Sequence, residues 1–79
     1  MLENEVKDFV NKVIKREHGK EIDFDDLLTN SEIDSFAYAV LWLELEEKYQ
    51  CFKIMEKYID YKTYKLRDIV ESVKAHYAG

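Results

Sequence analysis

No proline interrupts this chain, and its two glycines stand at positions 19 and 79. A turn-rich β architecture uses both residues often, because tight turns need a fixed or left-handed backbone. Their near absence favours helices throughout the 79 residues. The apolar residues then recur at helical steps. Leu2, Val6, Phe9, Val10, Val13 and Ile14 follow one another at four, three, one, three and one. That spacing is one stripe of an amphipathic helix, expected over about residues 3 to 17. Glu3, Glu5, Lys7, Asp8, Asn11 and Lys12 fall mostly on its other face. Lys15 and Arg16 sit in its last turn, where cations suit the negative end of the helix dipole. Gly19 follows as a C-terminal stop.

A long connection runs over residues 18 to 34. In it Ile22 and Phe24 alternate with charged neighbours, and Asp25-Asp26-Leu27-Leu28 predicts a short helical turn with an acidic start. A loop of this length in so small a domain is more often functional than decorative. The second helix is expected from Ser35 or Phe36 to Tyr49. Tyr38, Leu41, Trp42, Leu45 and Tyr49 are spaced three, one, three and four apart and form its core stripe. Phe36, Val40 and Leu43 lie on another side. Deep burial of every side of one helix is hard to arrange in a single small domain. These three are therefore expected to form a partly exposed apolar patch.

Phe52, Ile54 and Met55 belong to the next connection, and residues 56 to 60 predict a short third helix with Tyr58 and Ile59 turned inward. Tyr61 and Tyr64 flank Thr63, a candidate cap or turn residue. Leu66, Ile69, Val70, Val73 and Tyr77 repeat at three, one, three and four, which predicts a final helix over about residues 64 to 77. The tail, Ala78 and Gly79, is expected to fray. The whole reads as one domain over residues 1–79, an all-α, up-down four-helix bundle with a long first loop and a short third helix. A domain of this size has a limited core.

Charge and cysteine content narrow the function classes. The net charge is −5. An acidic domain is a poor partner for a nucleic-acid backbone, and an electrostatically attracted partner should present a basic patch. With 47% apolar residues the chain is too apolar for disorder. Cys51 is the only cysteine, so no intramolecular disulfide is possible, and it is expected to serve as a small apolar residue. His18 and His76 stand in no metal-ligand spacing with Cys51, and no metal site is expected. The N-terminus lacks the basic and apolar segments of a secretory signal. No apolar run approaches the ~20 residues that span a bilayer. A cytoplasmic monomer is the expectation.

The most informative junction is Glu32-Ile33-Asp34-Ser35-Phe36, where a polar run gives way to a strongly helical apolar segment. Asp and Ser are both good helix N-caps, because their side-chain oxygens accept from the orphan N–H groups of the first turn. A hydroxyl at such a helix start is a good place to hang a phosphate, since the free N–H groups and the dipole both favour an anion. Taken alone the pair reads as a simple cap. The arrangement resembles the acyl carrier protein family, in which an Asp-Ser-Leu signature opens the second of four helices. Here the signature is Asp34-Ser35-Phe36, and the helix ends in Glu44-Leu45-Glu46-Glu47-Lys48-Tyr49, close to the family's Leu-Glu-Glu-x-aromatic ending. The resemblance extends along nearly the whole chain. It includes the long first loop with its small apolar turn and the acidic Asp68 early in the last helix. The family's usual glycine shortly before the Asp-Ser pair is absent. Ser31-Glu32-Ile33 stands in that neighbourhood, so a different backbone path to Ser35 is expected.

The resemblance implies 4′-phosphopantetheine esterified to Ser35 by a separate phosphopantetheinyl transferase. It implies Asp34 as support at the junction and Phe36 as an apolar contact in place of the usual leucine. The arm's terminal thiol would carry acyl or aminoacyl groups as thioesters to enzymes of a fatty-acid, polyketide or other specialised pathway. Phe36, Val40, Leu43, Glu44, Glu46 and Glu47 are the expected partner-binding residues. Typical carriers bear acids on the first two turns of this helix, where Ala37 and Val40 stand here. The docking face is therefore more hydrophobic than usual, which points to dedicated partner enzymes. Tyr38, Trp42 and Tyr49 are bulky, which favours small or polar cargo. The alternative is an unmodified helical adaptor that binds its partner through Phe36, Val40 and Leu43. An enzyme is not expected, since the spacings offer no Ser-His-Asp or Cys-His arrangement and no catalytic residue.

Overall fold

The computed structural model describes residues 1–50 and 62–76. Among them the chain is all-helical, with α1 at Leu2–Arg16, a 3₁₀ turn at Leu28–Ser31, α2 at Ser35–Tyr49 and α3 at Leu66–His76. The expected short helix at residues 56 to 60 lies outside the described residues, with Tyr58 and Ile59. Cys51, Phe52, Ile54, Met55, Tyr61, Tyr77 and the tail lie outside them too.

α1 packs against both α2 and α3. Its apolar stripe does what its period predicts: Val6, Val10, Val13 and Ile14 are buried, and Leu2 and Phe9 lie half-covered at the margin of the core. Leu41, Trp42 and Leu45 of α2 and Leu66, Ile69 and Val73 of α3 are fully enclosed opposite them. Each fully buried side chain of this kind contributes roughly 1.5–3 kcal/mol. Edge-to-face ring contacts order the aromatic part of this core. Tyr38 meets Trp42 at 5.7 Å between centroids, Trp42 meets Tyr64 at 6.2 Å, and Phe9 meets Tyr49 at 6.2 Å.

Asn11 departs from its expected place on the outer face. It is buried, its amide donates to the Ile22 carbonyl and its side-chain oxygen accepts the Ile22 N–H, both at 2.9 Å. A loop laid against a helix leaves backbone groups in need of partners, and Asn11 supplies two at once.

α1 ends through a left-handed residue, as many helices do, but the residue is His18 at φ 69° rather than Gly19. The Gly19 N–H donates to the Ile14 carbonyl at 2.8 Å and the His18 N–H to that of Lys15 at 3.0 Å, which is the paired closure of a Schellman motif.

The turn expected at residues 25 to 28 forms three residues later, at Leu28–Ser31. The aspartates are engaged in a tighter turn before it: the Asp26 N–H donates to the Asp23 carbonyl and the Asp26 carboxylate accepts the Asp23 N–H at 2.8 Å. Such short side chains compete with helical bonding for nearby backbone donors.

α3 begins at Leu66, two residues after the expected start. Thr63 precedes it in a turn, and Lys65 forms an isolated antiparallel bridge with Leu27. The Asp68 carboxylate reaches back to the Lys65 N–H at 2.9 Å, half of a capping box. The first loop completes the cap. The Leu66 and Arg67 N–H groups donate to the carbonyls of Asp26 and Phe24 at 3.1 and 2.8 Å, and the Leu28 N–H donates to the Tyr64 carbonyl at 2.7 Å. Phe24 itself lies between the Lys7 ammonium and the Arg67 guanidinium, 4.9 and 5.5 Å from its ring centroid.

Candidate functional site

The Asp34 and Ser35 junction is built by cap chemistry. Asp34 is the N-cap of α2, with an extended backbone, and its carboxylate accepts the Ala37 N–H at 2.8 Å. The Tyr38 N–H bonds back to the Asp34 carbonyl at 3.0 Å and starts the helical ladder. Ser35 is the first helical residue, and both Asp34 and Ser35 are exposed. The N–H groups of Ser35 and Phe36 meet no protein acceptor among the described residues. The first turn of α2 holds no acidic residue. An anion attached to the Ser35 hydroxyl would meet these two donors and the positive end of the dipole, beside the Asp34 carboxylate that already caps the Ala37 N–H.

Glu32 has φ 63° and ψ 23°, a left-handed conformation that glycine adopts at no steric cost. The chain thus takes a glycine-like turn before Asp34 with a side chain on it. Ser31 is fully buried, and its hydroxyl donates to the Leu28 carbonyl at 2.6 Å. The Ser31 carbonyl accepts the Lys20 N–H at 2.8 Å, and the Lys20 ammonium pairs with Glu32 at 2.9 Å.

The apolar residues beside Ser35 face away from the core. Phe36 is 74% exposed and Leu43 54%, and Val40 between them is half-buried. At about 100° per residue these three and Glu47 share one face of α2. The acidic residues divide. Glu47 is exposed and lines a shallow hollow of about 280 Å³ with Phe9, Glu44 and Lys48. Glu46 is half-buried. Glu44 is also half-buried and turned toward α1, where both its carboxylate oxygens accept from the Arg16 guanidinium. That hydrogen bond raises the Arg16 pKa further above its ordinary value. The helix rise separates Ser35 from Glu44 by about 14 Å. The structure thus places Phe36 beside Asp34 and Ser35 at the start of α2, with Val40 and Leu43 following along the same face toward Glu47.

Sequence reasoning missed three residues around this site. Arg16, 28 positions from Glu44, carries no local signal of that pairing. Glu32 belongs to no residue class that favours a left-handed backbone. By sequence Gly19 reads as a helix stop, whereas in the fold its missing side chain matters for packing. A methyl group there would lie 2.6 Å from Ile33 Cγ2, 2.7 Å from Ile14 Cγ2 and 2.8 Å from the Ser31 carbonyl oxygen. Among the described residues no group of three His, Cys, Asp or Glu side chains is placed to hold a metal ion. No helix among them is long and apolar enough to cross a membrane. Compared with protein-family models, with curated proteins and with solved structures, the chain finds no match.

Proposed function

We propose that this protein is an acyl carrier, with Ser35 as the attachment point of 4′-phosphopantetheine. One observation carries the reading: an exposed serine at the first position of α2, capped by Asp34, beside two backbone donors that meet no acceptor among the described residues and an exposed apolar strip. In the modification the Ser35 oxygen forms a bond to the phosphorus that bears pantetheine. The pyrophosphate link of coenzyme A breaks, adenosine 3′,5′-bisphosphate leaves, and the hydroxyl proton passes to a base of the transferase. The chain's part is to hold the hydroxyl outward and to favour the resulting phosphodiester anion at the helix start. The arm, once attached, supplies a tethered thiol at high effective concentration near each partner enzyme. In this reading the fold is the four-helix carrier bundle, with the short third helix in the connection between α2 and α3.

Phosphopantetheinyl transferase and acyl-handling enzymes dock on Phe36, Val40 and Leu43, with Glu47 beyond them on the same face. Glu44, held by Arg16, and the half-buried Glu46 contribute less. The enclosed Tyr38, Trp42 and Tyr49 favour small or polar cargo. Attaching chains of increasing length tests this, and steady thermal stabilisation by long chains contradicts it.

The second reading, an unmodified helical adaptor, draws on the same exposure of Phe36 and Leu43. Intact-mass measurement after incubation with coenzyme A and a broad-specificity transferase separates the two. The carrier gains one phosphopantetheine, and Ser35→Ala abolishes the gain. A wild-type chain that stays unmodified with every competent transferase leaves the adaptor.

A further inference from the structure

We infer that Gly19 is a positioning residue for Ser35: its missing side chain lets residues 31–33 close onto the end of α1, and this contact sets where the Ser35 hydroxyl stands. The inference rests on the carrier reading for its consequence and on packing for its cause. Gly19 is not needed for its backbone conformation, because the left-handed residues of the described chain are His18, Glu32 and Gln50. It is needed for space. Non-bonded carbons rest at about 3.5–4.0 Å, so a methyl at 2.6 Å from Ile33 Cγ2 has to open that contact by about 1 Å.

None of the three neighbours yields easily. Ile14 is fully enclosed in the core. The Ser31 carbonyl is bonded to the Lys20 N–H, and the buried Ser31 hydroxyl is bonded to the Leu28 carbonyl. Ile33 is itself buried. Ile33 is also the residue before Asp34, whose carboxylate must reach the Ala37 N–H for the cap to close. The segment is therefore gripped at one end by Gly19 and Lys20 and at the other by the cap. A side chain at position 19 pushes residues 31–33 outward, strains the backbone at Asp34 and opens the cap beneath Ser35. The apolar strip of Phe36, Val40 and Leu43 belongs to α2 itself and stays in place. Docking should survive while the hydroxyl is misplaced, and a shift of about 1 Å in a reacting group can cost on the order of 100-fold in rate.

The test compares wild type, Gly19→Ala and Val73→Ala, a buried α3 variant, at temperatures where the two variants are equally stable. Phosphopantetheine transfer is followed by intact mass to give kcat and KM, and exchange of the Ala37 amide is measured without any transferase. For Gly19→Ala the expected result is a kcat lowered roughly 10–100-fold, a KM near wild type and faster Ala37 exchange. Val73→Ala should match wild type in kcat and KM, and its Ala37 amide should exchange more slowly than that of Gly19→Ala. Equal slowing in both variants, or an unchanged kcat in Gly19→Ala, overturns the inference. If Gly19→Ala does not fold, Ser31→Ala loosens the same segment without adding volume. It should show the same kcat loss with smaller amplitude, and an unchanged kcat there counts against the inference. A wild-type chain that accepts no phosphopantetheine sinks the carrier reading instead. Ala37 exchange then decides the grip alone, and unchanged protection in Gly19→Ala overturns it.

Discussion

α1 and α2 are each 15 residues long and bury one side against the same core, yet they treat their opposite sides differently. The outer side of α1 is charged, and four of its ions are paired: Lys7 with Asp23, Lys15 with Glu21, Arg16 with Glu44 and Glu3 with Lys74. The outer side of α2 carries Phe36 at its start and Leu43 past its middle. On a helical projection Phe36, Val40 and Leu43 stand roughly opposite Leu41 and Leu45. α2 is thus apolar on two opposing sides, with one side spent on folding and the other left to solvent. Single exposed apolar side chains are ordinary on protein surfaces, and a contiguous exposed patch marks an interaction surface more often than chance.

The contrast can be broken first at its buried side. Trp42→Ala should cost about 3–5 kcal/mol in urea unfolding followed by circular dichroism, whereas a loss below about 1 kcal/mol would deny Trp42 its place in the core. Next comes the cap that starts α2. Asp34→Ala should cost about 0.5–2 kcal/mol and Asp34→Asn much less, since the amide oxygen still accepts from Ala37. Equal losses would mean that charge, not capping, matters there. The left-handed turn before the cap should respond in the other direction. Glu32→Gly relieves a strained backbone and adds entropy to the unfolded chain, for a net gain of about 0.5–1 kcal/mol. Destabilisation would show that the pair with Lys20 outweighs the strain. The exposed side sharpens the contrast most and moves stability least. Phe36→Ser and Leu43→Ser should each shift unfolding by no more than about 0.5 kcal/mol, and under the proposed carrier function they should weaken transferase binding. A large stability loss would place these residues in the core after all.

The outer side of α1 and its loop should show a pH signature instead. Hydrogen bonds from Lys15 to Glu21, from Lys7 to Asp23 and from Arg67 to Asp25 hold these carboxyls below their ordinary range. Glu3 is lowered as well, by a backbone hydrogen bond first and by Lys74 second. A lowered folded pKa contributes stability that is fully present above the unfolded value and lost as pH falls through the folded one. Stability should therefore begin to decline as pH falls through about 5 and go on declining below it. The slope should flatten in high salt, because these pairs are exposed and screened. A decline beginning near pH 6 would point to a group other than these.

Much of this was legible in the chain itself. The spacings of Val6, Val10, Val13 and Ile14, and of Tyr38, Leu41, Trp42, Leu45 and Tyr49, placed two helices to within a residue, because burial follows period. The Asp34 cap was legible too, since capping is a local bond between residues three apart. What the loop does was not. Asn11 fastening Ile22 and the carbonyls of Phe24 and Asp26 capping α3, like the Arg16–Glu44 pair between α1 and α2, join residues far apart in sequence. No window of neighbouring residues contains both partners.

Composition and spacing by themselves determined a helical chain with an acid-capped serine at the head of an unusually apolar helix. Only the tertiary structure decided that Gly19 is a point of close approach, that Glu32 takes a left-handed turn and that Ser35 stands in solvent beside Phe36. Periodicity and capping are local energies that the sequence carries in its order. The distance between the end of α1 and residues 31–33 exists only once the core has closed.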